Sequence, residues 1–204
     1  MVYIQLEKTD IEILKYLVID INKQFSINEL SNILKRPYVK VHSSIQRLLS
    51  KNIININVLG KSHYCRLDYK NNLDIACFVE AQIARDFLIK NKNIHIFLNN
   101  LKEKLNFPDH SLIIFGSFAR NTQTKNSDLD LAVITSKDNL EKAESIIRSF
   151  TKTTNINIHA LEFAYIDFIE MLKSKELNVA KEMTRNHVII YGFEQFYECI
   201  RLGE

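Results

Sequence analysis

The sequence lacks the features of membrane and secreted proteins. No run of about eighteen apolar residues occurs, which argues against a membrane-spanning helix and a membrane partner. The N-terminal stretch, Met1–Glu7, has no basic segment followed by an apolar one, so no signal peptide is expected. The cysteines (Cys65, Cys77 and Cys199) are few, odd in number and widely spaced, which excludes a Cys-x-x-Cys metal site. Reduced thiols of this kind suit a cytoplasmic protein.

Acidic residues are absent from one long segment. The net charge of the chain is only +3, but residues 1–70 carry 11 Lys and Arg against 6 Asp and Glu, whereas the remainder carries 16 against 18. Between Leu30 and Leu67 seven basic residues occur and no acidic one: Lys35, Arg36, Lys40, Arg47, Lys51, Lys61 and Arg66. A basic stretch of this purity indicates a polyanion partner.

The N-terminal third of the chain, which contains this basic segment, has the pattern of three helices followed by a hairpin. Thr9–Glu12 and Ser26–Glu29 each have the spacing of a capping box and predict the start of a helix. A third helix is predicted from apolar residues at helical spacing: Val41, Ile45, Leu48 and Leu49. Two strand-like runs, Ile53–Leu59 and Ser62–Leu67, follow it. Over roughly residues 5–69 the chain resembles the winged helix-turn-helix family.

That resemblance implies DNA as a partner, with the third helix in the major groove. The candidate contacts are predicted to turn away from the apolar stripe of this helix: Tyr38, Lys40, Ser43, Ser44 and Arg47. Lys61, at the hairpin tip, and Arg66 would contact phosphate. The alternative interpretation is a dimerisation or packing module with a solvated basic face. The resemblance also implies a homodimer, because winged-helix proteins often bind DNA as dimers.

A second pattern lies in the other half of the chain. Leu112–Phe115 is an apolar run that ends in Gly116-Ser117, as a buried strand running into a tight turn does. Gly116 allows the backbone to approach a ligand closely, and Ser117 can cap a short helix that begins there. Backbone N–H groups at such a turn can hold phosphate.

Two carboxylates follow about ten residues later. Asp128 and Asp130 alternate with Leu129 and Leu131, which on a strand points both carboxylates to one face. Neighbouring carboxylates repel each other unless a cation is shared, and Mg²⁺ with substrate phosphates is the usual cation. A phosphate-binding turn beside a carboxylate pair is the minimum apparatus for metal-assisted nucleotidyl transfer.

The two motifs together carry a second resemblance. Gly116-Ser117-Phe118-Ala119-Arg120-Asn121 and Ser127-Asp128-Leu129-Asp130-Leu131 resemble the Gly-Ser-x-Ala-Arg-Gly and Ser-Asp-x-Asp-Leu signature of DNA polymerase β-like nucleotidyltransferases, especially the minimal ones. The fold class implied is α+β or α/β: an N-terminal winged helix-turn-helix (1–70), a helical connector (71–106) and a nucleotidyltransferase domain with a mixed sheet (107–204).

The resemblance also implies site residues. Gly116 and Ser117 would hold the β- and γ-phosphates of a nucleotide, with ATP as the expected donor, and Asp128 and Asp130 would hold Mg²⁺. Arg120 would add a positive charge, or alternatively form a surface salt bridge.

Two departures from the signature are evident. A third strand, predicted over Asn155–Leu161, has Asn157 or His159 where the family often has a third carboxylate that binds metal and acts as general base. The nearest acid, Glu162, is on the other face by strand alternation. His159 can take a proton, because its reference pKa is near 6.5, or it is simply a polar residue lining a groove. Asn121 replaces a glycine, a mild change because Asn tolerates positive φ.

Three functions remain open from the sequence. The first is transfer of AMP from ATP to a hydroxyl acceptor by a DNA-binding protein, as in minimal nucleotidyltransferases that act as antitoxins and adenylylate a partner toxin. The second is a transcriptional regulator whose degenerate transferase domain only senses nucleotide. The third, a purely structural dimerisation domain, gives no reason for the paired motif.

Overall fold

The computed structural model describes residues 5–60 and 62–204. The chain divides into two compact units, Met1–Val79 and Glu80–Glu204. The division into three domains made from the sequence stays a prediction. Among the described residues, none of the helices combines the length and the apolar character needed to span a bilayer.

The first unit contains three helices and a small antiparallel sheet, as the hydrophobic spacing predicted. The sheet has the order β1-β3-β2, and the β2–β3 hairpin pairs Ile54 with Leu67 at its open end. A fourth helix begins in this unit and ends in the second. The elements are α1 (Lys8–Ile19), β1 (Phe25–Ser26), α2 (Ile27–Leu34), α3 (Tyr38–Ser50), β2 (Ile54–Leu59), β3 (Ser62–Leu67) and α4 (Leu73–Lys90).

One of the two predicted capping boxes is confirmed. The Glu29 N–H donates to Ser26 Oγ at 3.2 Å, and the Ser26 N–H donates to Glu29 Oε2 at 2.7 Å, so the box opens α2. The box predicted at Thr9–Glu12 is wrong. Helix α1 starts earlier because the Glu7 N–H donates to Asp10 Oδ2 at 2.9 Å, which makes Glu7 the N-cap in place of Thr9.

The second unit is built on a four-stranded sheet of order β6-β5-β4-β7. Strands β5 and β6 are parallel, and the other neighbours are antiparallel, so the predicted mixed sheet is confirmed. The elements are α5 (Lys92–Lys104), β4 (His110–Ile114), α6 (Gly116–Ala119), β5 (Leu129–Thr135), α7 (Lys137–Thr151), β6 (Ile158–Ala164), α8 (Tyr165–Lys173), α9 (Val179–Met183), β7 (Val188–Tyr191) and α10 (Phe193–Gly203).

Side chains on one face of this sheet form the main core of the unit. Leu112 and Ile114 on β4 and Leu129, Leu131 and Val133 on β5 are all 0 % exposed, and they belong to one apolar cluster with residues of α5 and α7. Because side chains alternate along a strand, Asp130 points to the opposite face from Leu129 and Leu131. The buried leucines therefore fix which face carries the carboxylate.

Two predicted boundaries differ in the structure. Strand β6 begins at Ile158 and not at Asn155, and it continues through Glu162 to Ala164. The sequence over Lys175–Thr184 also predicts a helix, and the structure confines it to Val179–Met183. There the Asn178 side chain caps the N-terminus by accepting from the Lys181 N–H at 3.1 Å. A polar cap in the chain thus starts the helix later than the apolar pattern suggested.

Candidate functional site

The turn between β4 and α6 holds the backbone directly against a carboxylate. Gly116 has φ +66°, and a Cβ added there would lie 2.0 Å from Asp130 Oδ2. The Phe115 N–H donates to the Asp130 carbonyl at 3.1 Å, which holds the two strands together at this point. Gly116 is therefore required for two reasons, its left-handed conformation and the space that Asp130 occupies.

The short helix after this turn is closed by backbone hydrogen bonds. The Arg120 N–H donates to the Gly116 carbonyl at 3.2 Å, and the Thr122 N–H donates to the Ser117 carbonyl at 3.0 Å. Asn121 has φ +54°, so the positive φ expected at this position is confirmed. The expectation that Ser117 caps the helix is wrong: Phe115 is the N-cap, and Ser117 is the second helical residue and is half-buried.

Asp130 and His159 are direct neighbours across the parallel pair β5–β6. They are register partners, and His159 Nδ1 lies 3.1 Å from Asp130 Oδ1. Because the carboxylate accepts, Nδ1 carries the proton of this hydrogen bond. The Asp130 side chain is 26 % exposed and the His159 side chain 58 %, so both are accessible to a ligand. In the neutral ring, Nε2 then keeps its lone pair for a second proton.

Asp128 lies one residue before β5 and is exposed. Within the described ranges, no hydrogen bond or ion pair engages its carboxylate. The chain reaches this position through a turn in which the Thr124 N–H donates to Ser127 Oγ at 2.8 Å. Just after it, the Leu129 N–H donates to the Asn157 carbonyl at 2.8 Å. The backbone on either side of Asp128 is thus fixed, and its carboxylate is free to bind a ligand.

Glu162 does not complete the carboxylate set. It lies an odd number of residues after His159 on β6 and pairs with Val133, so it points to the other face, as expected from the sequence. Burial raises the pKa of Glu162, and Glu144 of α7 raises it further, with Arg148 opposing. In residues 5–60 and 62–204 no group of three or more His, Cys, Asp or Glu side chains is arranged to hold a metal ion.

The donor set therefore fits a divalent cation only in part. Asp128 and Asp130 supply oxygen ligands of the kind that Mg²⁺ prefers, but Asp130 shares one oxygen with His159. Mg²⁺ commonly binds through one or two carboxylates and completes its shell with substrate phosphates and water. The residues present fit this mode of binding, with the phosphates of a nucleotide as further ligands.

Arg120 forms an ion pair on the surface. Its Nη1 lies 2.6 Å from Glu182 Oε1 on α9, and the two side chains are 41 % and 44 % exposed. Of the two roles expected for Arg120, the structure therefore shows the surface salt bridge. An exposed pair of this kind is weak, so the guanidinium can exchange Glu182 for a phosphate oxygen.

Three of the residues predicted to contact DNA are exposed on α3. Tyr38 is 46 % exposed and stacks on His42 with ring centroids 5.8 Å apart, and Lys40 and Ser43 are also exposed. On β3, Arg66 is exposed as well. Their contact with DNA stays a prediction. Lys61 lies outside the described residues.

The expectation that Ser44 and Arg47 turn outward is wrong. Ser44 is only 1 % exposed and accepts a hydrogen bond from Arg47 Nη2 at 3.1 Å. Arg47 donates to both oxygens of Asp10, at 3.0 and 2.9 Å, and to Glu7 at 2.9 Å. Asp10 is fully buried, so Arg47 is the counter-ion of a buried carboxylate, and its contact with DNA stays a prediction.

The comparisons with known proteins bear on the second unit. The family model described as nucleotidyltransferase domain matches residues 94–190, from α5 to β7. No curated protein and no solved structure matches the chain. The match covers Gly116, Asp128, Asp130 and His159, and the mixed four-stranded sheet fits the fold of such domains. The nucleotidyltransferase part of the resemblance seen in the sequence is thereby supported.

Proposed function

We propose that the second unit transfers a nucleoside monophosphate, AMP from ATP, to a hydroxyl group. The observation that carries this proposal is the meeting of three elements at one point: the Gly116 turn lies against Asp130, and Asp130 is hydrogen-bonded to His159. Nucleotidyl transfer needs a turn that binds phosphate and a carboxylate that binds a cation, and the Gly116 turn and the Asp130 carboxylate lie side by side.

Each residue has a defined part in this reaction. The backbone at Gly116–Ser117 binds the β- and γ-phosphates, and Arg120 adds positive charge after leaving Glu182. Asp128 and Asp130 would hold Mg²⁺, which would neutralise the charge of the phosphates. The acceptor oxygen forms a bond to the α-phosphorus, the bond to the β-phosphate oxygen breaks, and pyrophosphate leaves. His159 Nε2 takes the hydroxyl proton, because Nδ1 is held by Asp130.

Label transfer from ATP tests this activity. The protein is incubated with α-labelled ATP, Mg²⁺ and candidate acceptors, beside an Asp128→Ala/Asp130→Ala variant that removes both cation ligands. Transfer in the native protein that disappears in the variant is the expected result. Transfer that persists in the variant, or that never occurs with any acceptor, would count against the proposal.

The competing function is a regulator that binds nucleotide without transferring it. The specific observation in its favour is the imidazole of His159 at a position where the family often has a carboxylate. His159→Asp separates the two functions, because register pairing would place a third carboxylate beside Asp130. If the domain is degenerate, this substitution raises Mg²⁺-dependent transfer from none to a measurable rate. If His159 is the working base, the same substitution changes the pH profile of an activity that already exists.

We also propose that the first unit binds DNA, through the exposed residues of α3 and Arg66. The support is the excess of basic residues and the exposure of Tyr38, Lys40 and Ser43. Duplex binding should weaken with salt, and Lys40→Ala/Arg66→Ala should reduce the slope of log K against log salt by roughly 0.9 for each phosphate that is no longer neutralised. Affinity that does not depend on salt would contradict DNA binding.

A toxin partner and a homodimer complete the proposal. A DNA-binding unit fused to a transferase is the arrangement expected of an antitoxin that regulates its own operon and adenylylates the toxin encoded beside it. Co-expression with the product of the neighbouring gene, followed by intact-mass measurement, tests this role. An added mass of one AMP on that product is the expected result, and an unmodified product beside an active transferase would exclude it.

A further inference from the structure

A groove beside the motif is lined by residues that the proposed transfer does not use. It has a volume of about 580 Å³, within the roughly 300–1,000 Å³ usual for ligand sites. Its walls come from three separate parts of the second unit: the α4–α5 junction, the α6–β5 segment and the loop before β6. Its lining includes three lysines (Lys90, Lys92 and Lys125), four asparagines, among them Asn93 and Asn157, and the aromatic ring of Phe118.

The charge of this groove is entirely positive. Three of its eleven lining residues are lysines (Lys90, Lys92 and Lys125), and none is Asp or Glu. All three lysines are exposed, and in the described part of the chain no ion pair engages any of them. Three unneutralised ammonium groups around one concavity attract a ligand with more than one negative charge.

The start of α5 adds backbone donors to the same wall. Asn91 is the N-cap of this thirteen-residue helix, but its side chain does not cap it, since Nδ2 donates to the Phe87 carbonyl at 2.9 Å. The first residues of α5, Lys92, Asn93 and Ile94, all line the groove. Their N–H groups would need acceptors that lie before the helix, because the first intrahelical bond runs from the His95 N–H to the Asn91 carbonyl, and donors of this kind favour an anion such as phosphate.

The groove also offers groups that recognise a base. Phe118 is half-buried and lines the groove beside the lysines, and asparagines from two different walls, Asn93 and Asn157, present amide donors and acceptors. A neighbouring cavity of about 450 Å³ shares Asn93 with it and continues along α5. Aromatic faces, amides and lysines in one channel are the usual components of single-stranded nucleic-acid sites.

The position of the groove separates it from the phosphate-binding turn. It opens at the end of the sheet where β5 and β6 begin, on the face covered by α5, as the packing of Phe118, Ile94 and Ile156 against the α5–α7 core shows. Asp130 and His159 lie on the opposite face at the same end. Ser127 lines the groove and is the residue before Asp128. A ligand in the groove therefore lies on the face of the sheet opposite Asp130 and His159, and the groove is a site separate from the one proposed for nucleotidyl transfer.

We propose that this lysine–asparagine groove binds single-stranded nucleic acid. Phosphates contact Lys90, Lys92, Lys125 and the start of α5, and a base stacks on Phe118. This binding does not depend on the proposed nucleotidyl transfer. It is therefore measured without ATP or Mg²⁺, so that failure of the transferase leaves the result intact.

The 204-residue chain allows a direct fluorescence test because its sequence contains no tryptophan. Phe118→Trp introduces one reporter in the groove, and Phe193→Trp places one on α10 as a control. Both are made in the Lys40→Ala/Arg66→Ala background, which weakens binding by the first unit. An eight-nucleotide single strand is expected to quench the fluorescence of Phe118→Trp and not that of Phe193→Trp.

Charge variants then test the lysines. Lys90→Ala/Lys92→Ala/Lys125→Ala is expected to weaken binding of the strand about tenfold and to reduce the slope of log K against log salt by about 2, since each phosphate neutralised on a single strand contributes about 0.7. The matched control, Lys104→Ala/Lys137→Ala/Lys175→Ala, removes three exposed lysines of the same unit outside the groove.

Several results would overturn the proposal. Equal weakening by the two triple variants would mean that only overall charge matters. Quenching by ATP alone with the same lysine dependence would assign the groove to the donor nucleotide. An acidic peptide that quenches Phe118→Trp and displaces the strand would make the ligand a protein. No quenching by the strand at any salt concentration would leave the groove without this function.

Discussion

The most demanding prediction concerns a buried carboxylate at the start of the second unit. Glu80 is 0 % exposed, and its Oε1 accepts from the Tyr197 hydroxyl at 2.9 Å and lies 3.0 Å from His187 Nε2. His187 is 1 % exposed, and its Nδ1 lies 2.6 Å from the Met183 carbonyl. Oε2 of Glu80 is buried, and no group in residues 5–60 and 62–204 donates a hydrogen bond to it. The cluster ties the start of the unit to α10 and to the residue before β7.

The hydrogen bonds determine where protons must lie. The Met183 carbonyl can only accept, so His187 Nδ1 carries a proton. The contact between Nε2 and Glu80 then needs a second proton, on the imidazole or on the carboxyl group, because a lone pair would otherwise face a carboxylate oxygen. The pair is therefore either an ion pair or an acid–imidazole hydrogen bond, and in both cases each partner requires the other.

The cost of removing one partner follows from this mutual dependence. Breaking a buried pair leaves an uncompensated group and costs about 3–5 kcal/mol, a large fraction of the roughly 5–15 kcal/mol that stabilises a typical domain. We expect Glu80→Leu and His187→Phe each to destabilise the second unit by that amount. Glu80→Gln should cost only about 1–2 kcal/mol, because its amide can donate to the lone pair of a neutral His187.

Hydrogen exchange measures these changes in the second unit itself. The amides of β4 and β5 lie in its core, and their opening free energy is compared between variants. The double variant Glu80→Leu/His187→Phe should be more stable than the sum of the single effects predicts, by at least about 2 kcal/mol, because both buried polar groups are gone. A cost below about 1 kcal/mol for Glu80→Leu, or strictly additive effects, would refute this reasoning.

Three further predictions concern single sites. Gly116→Ala should abolish nucleotide binding in a titration with ATP, because the added Cβ displaces the Asp130 carboxylate. Gly60 also has a positive φ (+62°), but a Cβ added there meets no atom within 4 Å, so the control variant Gly60→Ala should bind ATP normally. Burial opposes ionisation of Asp10, but hydrogen bonds from Arg47, the Glu7 N–H and Ser44 outweigh burial and lower the pKa of this carboxyl group. Its contribution to stability is therefore present above the ordinary value of 3.8 and is lost as the pH falls from there through the lowered pKa. Asp10→Asn should cost about 2 kcal/mol at pH 7 and flatten the acid limb of the denaturation profile, and an unchanged limb would contradict this. Burial raises the pKa of the Cys65 and Cys199 thiols to about 12. A thiol reagent at pH 8 should therefore modify Cys77 quickly in the native protein and modify Cys65 and Cys199 only on unfolding, and rapid reaction of all three would contradict the burial of these two thiols.

Signals that are local in the chain were readable from the sequence. The Ser26–Glu29 box, the apolar spacing of α3 and the alternation of Leu129 and Leu131 with acidic residues each depend on neighbours three or four positions away at most. These patterns predicted the helices, the strands and the face of the sheet that carries Asp130. The order of the Gly-Ser and Asp-x-Asp motifs predicted the nucleotidyltransferase part, which the family model supports.

Pairings between distant residues were decided by the tertiary structure. Arg47 was predicted to face DNA, but its partner Asp10 lies 37 positions away, and helix packing brings the two together. His159 became a neighbour of Asp130 only through the register of two parallel strands. The groove at Lys90 and Phe118 is built from three segments, and none of them alone has the composition of a binding site. Local patterns determine which elements form and which faces they bury, whereas the partner of a buried charge and the walls of a groove depend on how those elements pack.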